Sequence, residues 1–296
     1  MRPKTDSCGL IKDAYDYELR SPASARYHSM SPIFVWLFGG LIASAGLVRE
    51  FEVSAARDVK AQLQGPAVVN VSTRAGLSGL WQEIGSAKIR AKNFSAESLP
   101  LFTEPERSQK GILHRLELDL TDFRLKQLRV KRLTAQIPDC RFDSALALAK
   151  KKIRLSRSGI GIGRVEVDAA ALEQFVLQKF SEIKRVAITF AGDRVKVTGY
   201  GEFLVVATEF EVDARLEIRG ANQLHLADAV IDFDGKRADP LSREALLKTL
   251  NPILDLERDL QLFGALQLSR VSFLGATMIA EGPATIPVRP KAVGNE

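Results

Sequence analysis

From Leu204 to Arg219 the chain alternates almost without a break. Leu204, Val206, Phe210, Val212, Ala214, Leu216 and Ile218 share one parity, with Thr208 among them. Glu209, Glu211, Asp213, Arg215, Glu217 and Arg219 take the other. A period of two held over about fifteen residues predicts a strand much longer than the usual five or six, apolar on one face and charged on the other. Just upstream the period changes. Leu172, Phe175, Val176, Phe180 and Ile183 recur at helical spacing and predict a helix with one apolar stripe. Asp168 precedes it and can cap it, because a carboxylate accepts a hydrogen bond from an unpaired N–H of the first turn.

The rest of the chain falls into place around this unit. Residues 1–31 are polar and show no core pattern. Pro32 to Val48 is a run of 17 residues without a charge, about 26 Å long as a helix and at the short end for a bilayer span. It fits the core of a secretory signal, with Ala43-Ser44-Ala45 as a small-residue cleavage site, or an uncleaved anchor, and a buried helix of a soluble domain is the remaining alternative. Met30 lies just before the run and offers a second start besides Met1. A weakly amphipathic helix then runs to about Gln64 and stops at Gly65-Pro66. Pro66–Thr73 and Lys88–Phe94 read as strands, separated by an irregular turn carrying Leu77, Leu80 and Trp81. Ser95–Lys110 is a Pro- and Glu-rich loop.

Gly111 to Val167 reads as β-structure throughout, including the alternating Ala145, Ala147 and Ala149. Its apolar parity shifts repeatedly, as at Thr121-Asp122, where Leu116, Leu118 and Leu120 give way to Phe123 and Leu125. Phase shifts of this kind imply bulges and a sheet that bends strongly. Gln223–Phe233 predicts a return strand with a further bulge near Ala227-Asp228. Ser242 can cap a second helix carrying Leu246, Leu247 and Leu250, and Pro252 interrupts it. Ala265–Ala280 is a closing strand pair or one long strand, and the tail from Pro283 is expected to fray. The fold class is α+β, a strongly curved antiparallel sheet wrapped around amphipathic helices. The expected organisation is a polar tail (1–31), a signal or anchor helix (32–48), one α+β domain (49–282) and a C-terminal tail (283–296).

Charge sharpens this picture. The 296 residues carry a net +6, but Phe123 to Ser158 holds eleven Lys and Arg against Asp139 and Asp143, a net +9. The remainder is therefore slightly acidic. Few aromatics interleave with these cations, which argues against nucleic acid. The strip reads either as an ordinary solvated face or, near a membrane surface, as an attractor of anionic head groups, at about 1 kcal/mol per cation. Arg129, Lys131, Arg132, Lys150, Lys151 and Lys152 are the candidates for that role.

No pattern speaks for catalysis or a cofactor. Ser158-Gly-Ile-Gly-Ile-Gly163 superficially resembles a dinucleotide fingerprint. However, the third motif glycine would fall at Arg164, and a strand-like Val-Glu-Val follows where a helix is required. Asp228, Asp232 and Asp234-Gly235 do not match the oxygen spacing of an EF-hand. His28, His114 and His225 form no metal or catalytic pair, and His225 reads as a solvated strand residue. Cys8 and Cys140 lie on opposite sides of the apolar run and form no disulfide framework.

The order of features resembles the LmeA family of bacterial phospholipid-binding proteins. The likeness covers roughly residues 49–282. It rests on the Leu77…Leu80-Trp81…Gly85 turn leading into Ala87-Lys-Ile-Arg-Ala91, on Val165-Glu-Val-Asp-Ala-Ala-Ala-Leu172-Glu-Gln-Phe175, and on Val195–Thr198. The long strand ending near Ile218 and the helix Ser242–Asn251 complete it. The resemblance implies an envelope protein, exported or membrane-tethered, similar to tubular lipid-binding domains. In those a bent antiparallel sheet wraps a long helix and leaves an apolar groove for acyl chains. The expected function is non-enzymatic binding of membrane phospholipid or a related acyl lipid, without a cofactor. The expected lining is Leu172, Phe175, Val176, Phe180, Phe210, Val212, Leu216, Leu246, Leu247 and Leu250. An envelope interaction module with a filled core and no ligand is the alternative, and an enzyme assembled from scattered residues is a third reading.

Overall fold

The computed structural model describes residues 48–75, 82–97, 103–203 and 206–288. The first described element is a helix, α1 (residues 48–61). Phe51, Ala55 and Val59 recur on its inner side, and all three are buried. The strands β1 (Val68–Ala75), β2 (Glu83–Ala96), β3 (Gly111–Leu125) and β4 (Leu128–Phe142) follow. A short helix, α2 (Ser144–Lys150), leads to β5 (Leu155–Arg157) and β6 (Gly161–Asp168). Next come α3 (Ala169–Lys179), β7 (Ile183–Ala191), β8 (Arg194–Phe203), β9 (Val206–Arg219), β10 (Gln223–Phe233) and β11 (Lys236–Arg237). The helix α4 (Pro240–Leu250), β12 (Leu254–Asp255), β13 (Arg270–Leu274) and β14 (Thr277–Ala284) close the chain. The apolar run 32–47, the turn with Leu77, Leu80 and Trp81, and Leu204 lie outside the described residues. No helix among the described residues is long and apolar enough to cross a membrane.

The strands form two open sheets rather than one. The larger has the order β1-β2-β3-β4-β6-β14-β13, with β5 on β4; the smaller has the order β11-β10-β9-β8-β7, with β12 on β10. The larger sheet is mixed, because β2 and β3 run parallel. Strands in that relation need a crossover, which residues 97–110 supply. The expected all-antiparallel sheet is corrected on both counts.

Several of the phase shifts in the sequence have a backbone cause. Asn93 and Asp122 both adopt left-handed φ, 57° and 50°, and lie at the same level of β2 and β3, where the ladder skips from Lys92–Thr121 to Phe94–Phe123. Asp139 does the same in β4, at φ 50°. Asn and Asp tolerate this region better than other residues with a Cβ. A residue inserted in this way turns the following side chains to the opposite face. In β10 the register breaks between Ala227 and Val230, with Asp228 at φ 48°. The long strand β9 keeps its parity: Phe210, Val212 and Ala214 are buried, whereas Glu209, Arg215 and Glu217 are exposed.

Four local readings change. Ala145–Ala149 is helix, not strand: Asp143 caps α2, its carboxylate accepting from Leu146 N–H at 3.0 Å. Asp168 occupies the N-cap position of α3 without bonding its first turn. Its Oδ1 accepts instead from the Thr277 hydroxyl at 2.7 Å and from Lys131 Nζ at 3.0 Å. The helix α3 ends at Lys179, so Phe180 caps it and Ile183 opens β7. Asp239, not Ser242, caps α4, with Pro240 at the first helical position. The tail also stays packed beyond Pro283, since Ala284 and Ile286 are buried.

The glycine-rich Ser158–Gly163 stretch enters β6. A Cβ on Gly161 would overlap the Gln136 carbonyl oxygen of β4. Close strand packing accounts for this glycine, as expected where backbones approach.

Candidate functional site

Two apolar cavities lie between the sheets and the segments that cover them. The larger has a volume of about 120 Å³. One wall is the inner face of the larger sheet, including Leu116, Leu120, Phe123, Leu128 and Ile137, and Val59 of α1 with Leu63 just beyond its end forms a second. The third wall is the irregular segment 253–269, which contributes Leu254, Leu256, Leu260, Leu262, Leu266 and Leu268. Ala135, Gly163, Ala280 and Ala284 also line the space. Ala135 pairs with Gly163 across β4 and β6. These small residues leave room where larger ones would meet the leucines opposite. Among the described lining residues, those with polar side chains are Thr103, Arg164 and Thr285, and the Arg164 guanidinium is paired with Glu281 at 2.7 Å and Glu166 at 3.1 Å.

Apart from the two-residue β12 the leucine segment lacks regular structure, so its backbone N–H groups need other partners. Backbone carbonyls take some, as Asn222 does from Leu256 and Ala221 from Leu268, and three acidic side chains take others. The buried Asp255 accepts from the N–H groups of Glu257 and Arg258 at 2.9 and 3.0 Å, and from Gln223 Nε2 at 2.7 Å. Burial alone would raise the Asp255 carboxyl, but these donors hold it below the usual carboxylate value. Glu257 accepts from Phe263 and Gly264 N–H. Asp259 accepts from Asp255 N–H at 2.9 Å and pairs with Lys179 at 2.6 Å. Lys179 also donates to the Pro252 carbonyl at 2.8 Å, tying the segment to α3. The Asn251–Pro252 peptide that introduces it is cis.

The smaller cavity, about 50 Å³, lies in the half built on β7–β10. Seven of the ten lining residues expected from sequence surround it: Leu172, Phe175, Val176, Phe210, Val212, Leu216 and Leu250. Phe180 and Leu246 are buried in the same cluster and Leu247 packs against it, but none of the three lines the cavity. Phe190 of β7 stacks on Phe273 of β13 with ring centroids 4.4 Å apart, joining the edges of the two sheets beside this cavity. The sequence reading thus located the lesser of the two spaces. The larger was signalled by Leu254, Leu256, Leu260, Leu262, Leu266 and Leu268, whose spacing of two and four fits neither a helix nor a strand throughout.

The basic strip is not one surface. Arg129, Lys131 and Arg132 lie near one end of β4, whereas Lys150 ends α2 and Lys151 and Lys152 follow it, beyond the other end of β4, with roughly 30 Å of strand between the groups. Several of these charges are also paired locally. Lys131 meets Asp168 at 3.0 Å and Arg132 meets Asp119 at 3.2 Å, while Lys152 lies 3.5 Å from Asp58. Arg154, from the same sequence segment, grips Asp58 of α1 through two hydrogen bonds, at 2.5 and 3.2 Å, and reaches Glu104 at 2.9 Å. Arg129 and Lys150 are exposed, and Lys151 adopts the left-handed cap of α2.

A polar depression of about 460 Å³ on the outer face of the smaller sheet is lined by Arg185, Glu209, Glu211, Asp232 and Asp234 among others. Its charges engage one another or a neighbour: Arg185 with Glu209 at 2.8 Å, Lys196 with Glu211 at 2.7 Å, Arg237 with Asp232 at 3.4 Å. Asp234 accepts from the Thr208 hydroxyl. Among the described residues no cluster of three or more His, Cys, Asp or Glu is placed to hold a metal. His225 is half-buried rather than solvated, with Nε2 3.2 Å from Gln223 Oε1 and Nδ1 buried without a partner. His114 is paired with Glu83 at 2.6 Å.

The chain matches no family model, no curated protein and no solved structure.

Proposed function

We propose that this protein binds a phospholipid or a related acyl lipid without chemical turnover, as a carrier or sensor at the bacterial cell envelope. The observation that carries this reading is the larger cavity, walled on three sides by aliphatic and aromatic side chains. A cavity of this size costs about 3 kcal/mol relative to a collapsed core, at roughly 24 cal/mol per Å³. That is a substantial fraction of the 5–15 kcal/mol by which domains are typically stable. A hydrocarbon chain in the space recovers the lost contacts, and an apolar lining of this kind selects for it. The order of elements, like that of the LmeA family, supports the same ligand class. In this reading the two bulged sheets act as the walls of a tubular lipid-binding fold, with the 253–269 segment as the cover. Exposed Arg129 and Lys150 mark the two ends of β4 as places where an anionic head group or membrane surface is attracted.

The test is direct. The full chain is purified, washed free of detergent and extracted for lipid mass analysis, and uptake of labelled phospholipid from vesicles is measured in parallel. Co-purified phospholipid near one per chain, together with saturable uptake, is the expected result. A folded, lipid-free protein that takes up no labelled lipid would overturn the reading.

A further inference from the structure

Three residues belong to the walls of both cavities: Leu224, Leu254 and Met278. All three are buried. Leu224 of β10 and Leu254 of β12 are cross-strand partners, and the Ile253 N–H donates to the Leu224 carbonyl at 2.9 Å. This pair is therefore fixed by a ladder of the smaller sheet. Met278 comes from β14 of the larger sheet, where it pairs with Val167 and Phe273. These three side chains, one from each of three strands, stand where the two cavities adjoin and form a septum. Two of these are branched residues in a fixed pair. The third is a methionine, unbranched and with three rotatable bonds, the side chain best able to change shape without moving the backbone. On the far side of the septum lie Val195, Val197, Leu226 and Ile188, with no charged residue among the described lining residues.

We infer that the septum is a passage, and that the ligand is a lipid with one long acyl chain that runs from the larger cavity past Met278 into the smaller one. This inference rests on the lipid-binding reading above. It adds that chain length is what the protein measures, with the smaller cavity as the end stop. A short chain is accommodated in the larger cavity alone. A longer chain displaces the Met278 side chain and gains further burial, about four-fold in affinity per methylene, until the smaller cavity is full. Two buried chains are not required, and the head group stays outside the larger cavity.

The experiment uses the full chain and a series of lysophosphatidylglycerols with decanoyl, lauroyl, myristoyl, palmitoyl and stearoyl chains, competed against a fluorescent fatty acid. Two variants act on different elements. Met278→Ile keeps nearly the same volume in a stiff, β-branched side chain and holds the septum shut. Val197→Leu, on β8, fills the end stop. The affinity of the wild-type protein is expected to climb along the series by up to about four-fold per methylene and to level off once the smaller cavity is full. Val197→Leu, whose side chain lines only the smaller cavity, is expected to bind the decanoyl ligand within about two-fold of wild type, and Met278→Ile, which also touches the larger cavity, is judged by its levelling point alone. They should level off earlier, losing at least ten-fold on the stearoyl ligand, an ordinary effect for a few lost methylenes. Folding of each variant is checked by thermal unfolding, and either variant alone suffices for the comparison. Binding of the whole series with the same levelling point in wild type and in the folded variant overturns the passage and leaves the lipid reading intact. Failure of the wild-type protein to bind any member overturns both.

Discussion

Cys140 shows how completely a residue can be withdrawn from chemistry. It is fully buried in β4, with Sγ 3.8 Å from the carbonyl oxygens of Ile137 and Pro138. Burial, with the neighbouring Asp139 charge, pushes its thiol up to about 12. The thiolate is the reactive species, so native protein carrying Cys8→Ser is expected to resist maleimide at neutral pH and to react only after unfolding. Rapid labelling of the folded protein would contradict the packing of β4. Asp58 is the opposite case. Burial alone would raise its carboxyl, yet the Arg154 hydrogen bonds and charge, with help from Lys152, hold it below the ordinary value of 3.8. A group lowered in the folded state contributes its full stability above that ordinary value and loses it as pH falls through the folded one. Asp58→Asn is therefore expected to cost about 2 kcal/mol at neutral pH and to flatten the acid limb of melting temperature against pH. An unchanged acid limb would mean that the α1 anchor lies elsewhere.

Among the elements, those with a long uniform period were readable and those held by specific side chains were not. The strands β3, β4, β9 and β10 declare themselves because one buried face forces alternation, and their bulges show as parity shifts at Asp122 and Asp228. Helix α2 escaped because two turns are too short to establish a helical period, and Ala145, Ala147 and Ala149 imitate a strand. What decides it is the Asp143 cap. The parallel pairing of β2 with β3 depends on where the 97–110 crossover goes, which alternation does not encode. The candidate site was half legible for the same reason. Leu172, Phe175 and Val176 lie on a periodic helix, whereas the leucines of 253–269 lie on a segment whose shape is set by Asp255, Glu257 and Asp259. That dependence is testable. Asp255→Ala removes the acceptor for two N–H groups and a glutamine, with an expected loss of about 2 kcal/mol. Amide exchange should rise first in 253–269 and leave β3 and β4 protected. Uniform loss of protection would show that the segment does not open separately.

At the scale of the whole molecule, a cavity can be a packing defect or a place kept for a ligand, and the two respond differently to being filled. Ala135 lies on β4 at the wall of the larger cavity, opposite the leucine segment. Ala135→Leu adds three carbons to a space of about 120 Å³. If the room is present in solution, these carbons gain burial without displacing neighbours, worth about 2 kcal/mol before side-chain entropy is subtracted. The lipid-free protein should then melt a few degrees higher, because about 1 kcal/mol shifts a domain of this size by roughly 2–4 °C. A ligand that needs the same room should bind more weakly, and stabilisation by added lipid, which grows with the logarithm of ligand concentration over Kd, should shrink in the same variant. The combination is the signature of a binding cavity: higher stability without ligand, lower stability gained from it. A packing defect gives the first effect without the second. If the walls in solution are already closed, the added carbons are forced against the leucines and destabilise by about 1–3 kcal/mol. That outcome would remove the cavity from the argument and favour a filled-core envelope module.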